Sequence, residues 1–306
     1  MGAELVAHSP AAAEVFRRAD AALGEPLSQL AFLGPADLLD QTVNAQPALL
    51  AASLAYLAAI REAWREAGLV AEPAFVAGHS MGQYTALVAA GSLDLETAVR
   101  LVRQRGAAMQ SSGAGREGRM VAIIGLPEER IGELLTAAAG HGEIGLANRN
   151  APGQIVLSGV RAAVEAAAQL APSLGARRAV VLPVSVAAHS PLMAEAQTTM
   201  AAALAAIEMA DPHPPLLANG DGELITTGAQ ARRELVQHLT GGVDWVAVVE
   251  RLAREGVETV IEVGPGRVLT GLVRRIAPQL RAIATDDPSN PAGIAIPFLV
   301  PATSGS

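Results

Sequence analysis

A chain of 306 residues with 51% hydrophobic and 17% charged side chains has ample material for one large core or two modest ones. Its net charge of −8, with no compensating basic block, excludes a nucleic-acid partner, and the lack of cysteine excludes disulfides, a thiol nucleophile and a thiolate metal site. No uninterrupted apolar run approaches the roughly 20 residues of a membrane span, and the start, MGAELVAHSP, lacks the regions of a signal peptide, so a cytoplasmic protein with no membrane partner is expected.

In chain order, residues 11–23 read as a helix closed by Gly24, with Val15, Phe16, Ala19 and Leu23 on one side. A loop containing Gly34-Pro35 leads to a longer helix from about Asn44, with Leu50, Leu54, Leu57 and Trp64 at helical spacing and Pro47 in its first turn. Phe75–Gly91 follows as strand, sharp turn and helix, the turn being Gly78-His79-Ser80-Met81-Gly82. Asp94 suits the N-cap of the next helix, which carries Val99, Val102 and Met109 inward, has Arg100, Arg103 and Arg105 on other faces, and ends near Gln104-Arg105-Gly106.

Ser111–Gly118 has linker composition, and beyond it the pattern closes on itself. Met120–Gly125 reads as strand, Pro127–Ala139 as helix, and Glu143–Asn148 and Gln154–Ser158 as strands around a turn at Asn150–Gly153. Helix Arg161–Leu174 and strand Arg178–Val184 complete βαββαβ, a ferredoxin-like subdomain over 116–184 inserted into a larger α/β unit. After it come a helix to about Ile207, a short strand at Leu216–Ala218, helices Ala229–Leu239 and Asp244–Arg254, strand Thr259–Val263 and helix Arg267–Ile276. Residues 286–306 form an irregular tail.

The chemistry starts at Ser80. G-x-S-x-G between a strand and a helix holds a serine on a strained turn, with glycines at −2 and +2 where a Cβ would meet neighbouring backbone. The helix start beneath it favours charge developing on a bound carbonyl. Serine needs a base within hydrogen-bond reach. His8, His141 and His213 read as surface residues, His79 points away from its neighbour, and His238 lies inside a helix. His189, flanked by small residues at a strand-to-helix junction, suits a base and equally a helix cap. No acid between Ser80 and His189 resembles a third triad member, which favours a dyad whose imidazole is oriented by a backbone carbonyl. Arg105 reads either as a surface arginine or as a buried clamp for a substrate carboxylate. No phosphate-binding loop or metal-ligand spacing is present in the sequence.

Several segments together resemble the malonyl-CoA:acyl carrier protein transacylases of fatty acid synthesis and the related acyltransferase domains of polyketide synthases. They are Gln46–Leu50, Gly78–Tyr84, Arg105-Gly106 with Met109-Gln110, Asn150–Gln154, Pro183–Val186 ending in His189, and Glu262–Gly266. The resemblance runs from about residue 1 to 285. It implies an α/β-hydrolase-like core (1–115 and 185–285) around the ferredoxin-like insertion. It also implies malonyl-CoA and acyl carrier protein as partners; no cofactor and a monomer are expected.

Residue by residue, the resemblance makes Ser80 the nucleophile, His189 the base and Arg105 the partner of the malonyl carboxylate. Gln46 lines the acyl pocket, and the Met81 N–H is an oxyanion donor. The residue whose main-chain carbonyl orients the base, usually glutamine, falls at His238, whose imidazole could shift the pKa of His189. Gln83 stands where glutamate is common, with little effect expected. The family's N-terminal Gly-Gln-Gly-Ser-Gln turn, source of a second oxyanion N–H, has no counterpart here, so a downstream start or a fragment is expected. A serine esterase or thioesterase, and a module that mainly binds carrier protein, are the alternatives. The segment Val186-Ala187-Ala188 leaves malonyl as the default over methylmalonyl.

Overall fold

The computed structural model describes residues 1–69, 71–112, 117–184, 186–287, 289, 290 and 293. Helix α1 (Ala3–His8) leads into α2 (Pro10–Leu23), where Ser9 caps the start by accepting from the Ala12 N–H at 3.1 Å and Gly24, at φ 68°, ends it. The segment expected as a loop holds two short helices, α3 (Leu27–Leu33) and α4 (Ala36–Leu39), too brief to carry a periodic signal.

Helix α5 (Thr42–Glu66) begins earlier than expected, so Pro47 is inside the helix and not in its first turn. Proline has no N–H for the Val43 carbonyl; Arg103 Nη1 donates to that carbonyl instead, at 2.8 Å. By length and composition α5 could cross a membrane, but 72% of its most apolar stretch is buried within the fold, where it supplies Leu50, Leu54, Tyr56 and Ile60 to the core. Helix α6 (Gly82–Ala89) follows the serine turn. Helix α7 (Leu95–Ser112) is capped by Asp94, whose Oδ1 accepts from the Thr97 N–H at 2.6 Å.

Arg105 lies within α7 rather than at its end, because the helix runs on to Ser112. It shares the buried side with Ala98, Leu101, Val102 and Met109 at 3–4-residue spacing, not the outer faces expected for it. At Gly106 a Cβ would fall 2.7 Å from the Thr42 carbonyl oxygen, so only glycine lets α7 approach the α5 backbone this closely. That approach sets Arg105 beside the first turns of α5. The expected linker at 111–118 is partly helical at Ser111 and Ser112; positions 113–116 lie outside the described residues.

The β–α–β–β–α–β run is β1 (Gly118–Ile124), α8 (Ile131–Ala139), β2 (Ile144–Ala151), β3 (Gln154–Val160), α9 (Arg161–Leu170) and β4 (Arg178–Val181). The four strands pair antiparallel in the order β4-β1-β3-β2. Both helices cover one face, packing Leu134, Val164 and Ala167 on Val121, Ile123, Ile155 and Leu157. Strand β4 stops at Val181, short of the expected Val184.

The rest comprises α10 (Ala194–Ala205), β5 (Leu216–Leu217), β6 (Leu224–Ile225), α11 (Gly228–Gln237), β7 (Val243–Asp244), α12 (Trp245–Arg254), β8 (Thr259–Glu262), α13 (Val268–Ile276) and β9 (Arg281–Ala284). Strand β7 adds in parallel to the edge of β2, so the sheet does not close on itself as expected but joins the remainder of the chain. The strand expected before the serine turn is reduced to one parallel bridge between Val76 and Leu216. Its bonds run from the Val76 N–H to Pro215 O at 3.0 Å and from the Leu217 N–H to Val76 O at 3.1 Å. His238 is the C-cap of α11, not an interior residue. Most of the expected tail lies outside the described residues.

Candidate active site

Two residues stand out by their backbones. Among the described residues, only Ser80 (φ 53°) and His189 (φ 58°) take positive φ without being glycine. Such conformations cost on the order of 1–3 kcal/mol each and persist where surrounding structure over-determines them. At Ser80 the holding group is Asn219, which is fully buried. Its Nδ2 donates to Gly78 O at 2.7 Å, and its Oδ1 accepts from the Ser80 N–H at 2.7 Å, so one amide grips both sides of the turn. The Asn219 N–H donates in turn to Glu234 Oε1 at 2.7 Å.

Sequence reasoning missed Asn219, whose only signal was an Asn-Gly pair after a short apolar strand. Asn219→Ala removes the partners of the buried Gly78 carbonyl and the part-buried Ser80 N–H, and a loss of about 1–3 kcal/mol is expected in urea denaturation. An unchanged midpoint would show that the turn holds itself.

The glycines of the turn divide unequally. A Cβ on Gly78 would lie 2.1 Å from the Gly82 carbonyl carbon and oxygen, which forbids any side chain there. A Cβ on Gly82 would meet nothing within 4 Å, so the expected collision at +2 is absent: Gly82 contributes its backbone to the close contact, while its own Cβ direction is open.

Ser80 Oγ is 2.8 Å from His189 Nε2. His189 Nδ1–H donates to two main-chain carbonyls, His238 O at 2.6 Å and Gly241 O at 3.0 Å. Carbonyls only accept, so the proton is on Nδ1 and the Nε2 lone pair faces the serine hydroxyl. The structure thus brings a serine and an imidazole together with backbone oxygens where a triad carboxylate would stand. Burial, then the positive charge of Arg105, lowers the His189 pKa to about 4, which leaves the ring neutral and able to take a proton at neutral pH.

Arg105 closes the site from α7 and is only 2% exposed. Its Nη2 donates to Ser80 Oγ at 3.0 Å and Nη1 to Gln46 Oε1 at 2.5 Å. Gln46 is fixed from its other end, Nε2 donating to Thr42 Oγ1 at 2.8 Å. Among the described residues no carboxylate forms an ion pair with Arg105, and its Nε has no partner. A buried cation without a counter-ion is costly; burial lowers its pKa accordingly. Met81 is the N-cap of α6, so its N–H belongs to the free amides at a helix start, next to Ser80.

His238 enters twice, through its carbonyl on His189 and through Nε2, 3.4 Å from Arg105 Nη2. Its effect on the His189 pKa comes through that carbonyl, which raises it. His79 turns away from the serine, its Nε2 2.9 Å from Asn150 Oδ1. His8, His141 and His213 are exposed.

Residues 1–285 match the acyl transferase domain family. The chain is 44% identical over 289 residues to the malonyl CoA-acyl carrier protein transacylase of Escherichia coli O157:H7, covering 94% of this chain and 92% of that protein. Against the protein of the same name in Bacillus subtilis (strain 168) identity is 42%, covering 94% and 89%. The mixed α/β fold is similar to the crystal structure of acyl-carrier-protein-S-malonyltransferase from Bartonella henselae, with a TM-score of 0.91 and 42% identity over 97% of this chain and 94% of that one. A malonyl-transacylase solved in complex with a type II PKS acyl-carrier protein gives a TM-score of 0.89 at 39% identity, covering 95% and 94%. Matched along nearly its whole length, the chain belongs to the acyl transferase domain family.

Proposed function

We infer that this chain transfers a malonyl group from coenzyme A to the phosphopantetheine thiol of acyl carrier protein. The observation that carries the reading is Arg105: a buried guanidinium that pairs with no carboxylate among the described residues, 3.0 Å from the Ser80 hydroxyl. An acyl group ending in a carboxylate supplies the missing counter-ion and is thereby aligned with the nucleophile. The curated relatives named as malonyl transacylases and the carrier-protein complex support the same substrates.

Ser80 Oγ attacks the thioester carbonyl as its proton passes to His189 Nε2. The negative charge on the carbonyl oxygen lies over the start of α6, where the Met81 N–H donates to it. Collapse breaks the C–S bond, and the leaving thiolate takes the proton from His189. In the second half the carrier thiol gives its proton to His189 and attacks the malonyl-serine ester; the C–O bond to Ser80 breaks, and Ser80 Oγ takes that proton back from His189 Nε2. Arg105 lowers the His189 pKa in the empty site, so pairing Arg105 with the malonyl carboxylate raises the ring's basicity at the step that needs it.

The scaffold for this chemistry is an α/β-hydrolase-like core formed by 1–115 and 185–285, carrying a ferredoxin-like insertion over 116–184; the β4-β1-β3-β2 order supports the insertion. Incubation with malonyl-CoA and holo carrier protein is expected to yield malonyl-carrier and free coenzyme A in equal amounts. Release of malonate without loading of the carrier would instead favour an esterase.

A further inference from the structure

Behind Arg105 lies a second hydrogen-bonded chain that the transfer mechanism does not use. Gln83 Nε2 donates to Leu217 O at 3.3 Å and to Glu234 Oε1 at 3.1 Å. Leu217 O can only accept, so the NH₂ of the Gln83 amide faces that way and its Oε1 faces His238. His238 Nδ1 is 3.1 Å from that oxygen and therefore donates to it. A ring protonated at Nδ1 carries its lone pair on Nε2, the atom 3.4 Å from Arg105 Nη2. Arginine only donates, so every bond in the row has one permitted direction. His238 and Gln83 are both buried, at 3% and 0% exposure.

Given the malonyl-transfer reading, on which this rests, we propose that the His238 imidazole is a positioning residue for the Arg105 clamp. Gln83 fixes its tautomer, and the Nε2 lone pair holds the Nη2 edge of the guanidinium against Ser80. Gln83 and His238 are then one coupled feature. Glutamine at 83 matches histidine at 238: the Gln83 amide presents only an acceptor to Nδ1, and Glu234 and Leu217 hold that amide in place. Burial and the adjacent Arg105 charge both disfavour the imidazolium, whose Nε2–H would point at the guanidinium.

The main-chain carbonyl of residue 238 survives substitution, so His189 keeps its orientation in side-chain variants. His238→Leu is expected to lower malonyl kcat/KM about tenfold and acetyl kcat/KM by distinctly less. His238→Gln, which can accept from Arg105 and donate to Gln83, is expected to restore malonyl transfer. In an Arg105→Ala background His238→Leu should add nothing. Equal losses on both substrates, no rescue by glutamine, or an undiminished effect without Arg105 would each overturn the proposal.

A readout independent of activity separates this from the functional reading. Long-range ¹H–¹⁵N spectra of histidine-labelled protein at neutral pH, with His238 assigned by its loss in His238→Leu, should show Nδ1 protonated and Nε2 bare. The opposite tautomer or an imidazolium would overturn the assignment even in an active enzyme. A wild-type chain that transfers no malonyl group would instead overturn the functional reading, with the tautomer still deciding the role of His238.

Discussion

Arg105→Ala is expected to turn a malonyl-selective enzyme into one that takes uncharged acyl groups. Removing one partner of a buried, hydrogen-bonded charge pair costs about 2–5 kcal/mol, which corresponds to a roughly 30- to 4,000-fold fall in malonyl kcat/KM. Acetyl-CoA has no carboxylate to lose and is expected to hold or improve. Arg105→Lys keeps the charge but not the planar fork that engages Ser80, Gln46 and His238 together, so it should restore little. The Arg105 charge also depresses the His189 pKa, so the acidic limb of the alanine variant's pH–rate profile should move to higher pH. Rates for both thioesters measured across pH check all three outcomes; an unchanged malonyl-over-acetyl ratio would remove the clamp.

His189→Ala is expected to cost on the order of 10²–10⁴ in acyl transfer, the usual worth of a positioned general base. With Nε2 gone, Arg105 is the one hydrogen-bond partner left to Ser80 Oγ among the described residues, and it is a donor that cannot take the proton. In the wild type, a His189 pKa of about 4 means that free-enzyme activity stays level from neutral pH downward and falls only near pH 4. The same depression affects stability. Between the ordinary histidine value of 6.5 and about 4 the unfolded chain binds the proton first, so this residue's contribution to stability is lost as pH falls through that window. A limb near 6.5 in kcat/KM would mean that a more exposed base does the work.

Much of this was legible in the sequence because local chemistry carried it. The serine turn was visible as glycines bracketing a serine ahead of an apolar helix, and β1–β4 as apolar runs separated by turn residues. The absence of a positioned acid pointed to a carbonyl-held imidazole, which is the geometry at His189.

What escaped the reading depends on long-range contacts. Asn219 grips Ser80 across 139 positions of chain, and no local pattern marks an asparagine for that task. The burial of Arg105 follows from the close approach of α7 to α5 at Gly106, which periodicity within α7 alone does not distinguish from a surface face. Strands β5, β6 and β7 are two residues long and exist only through their partners. Gln83 follows the serine turn and His238 closes a helix far along the chain, and neither local setting points to the other. Their contact, made at 3.1 Å across 155 positions, is what joins them into one feature.

Mass spectrometry of the protein after brief exposure to malonyl-CoA, without carrier protein, tests the central claim most directly. A malonyl adduct on the peptide bearing Ser80, absent from Ser80→Ala and discharged when holo carrier protein is added, is the predicted result. Carrier loading with no adduct on Ser80, or an adduct on another residue that turns over, would contradict it.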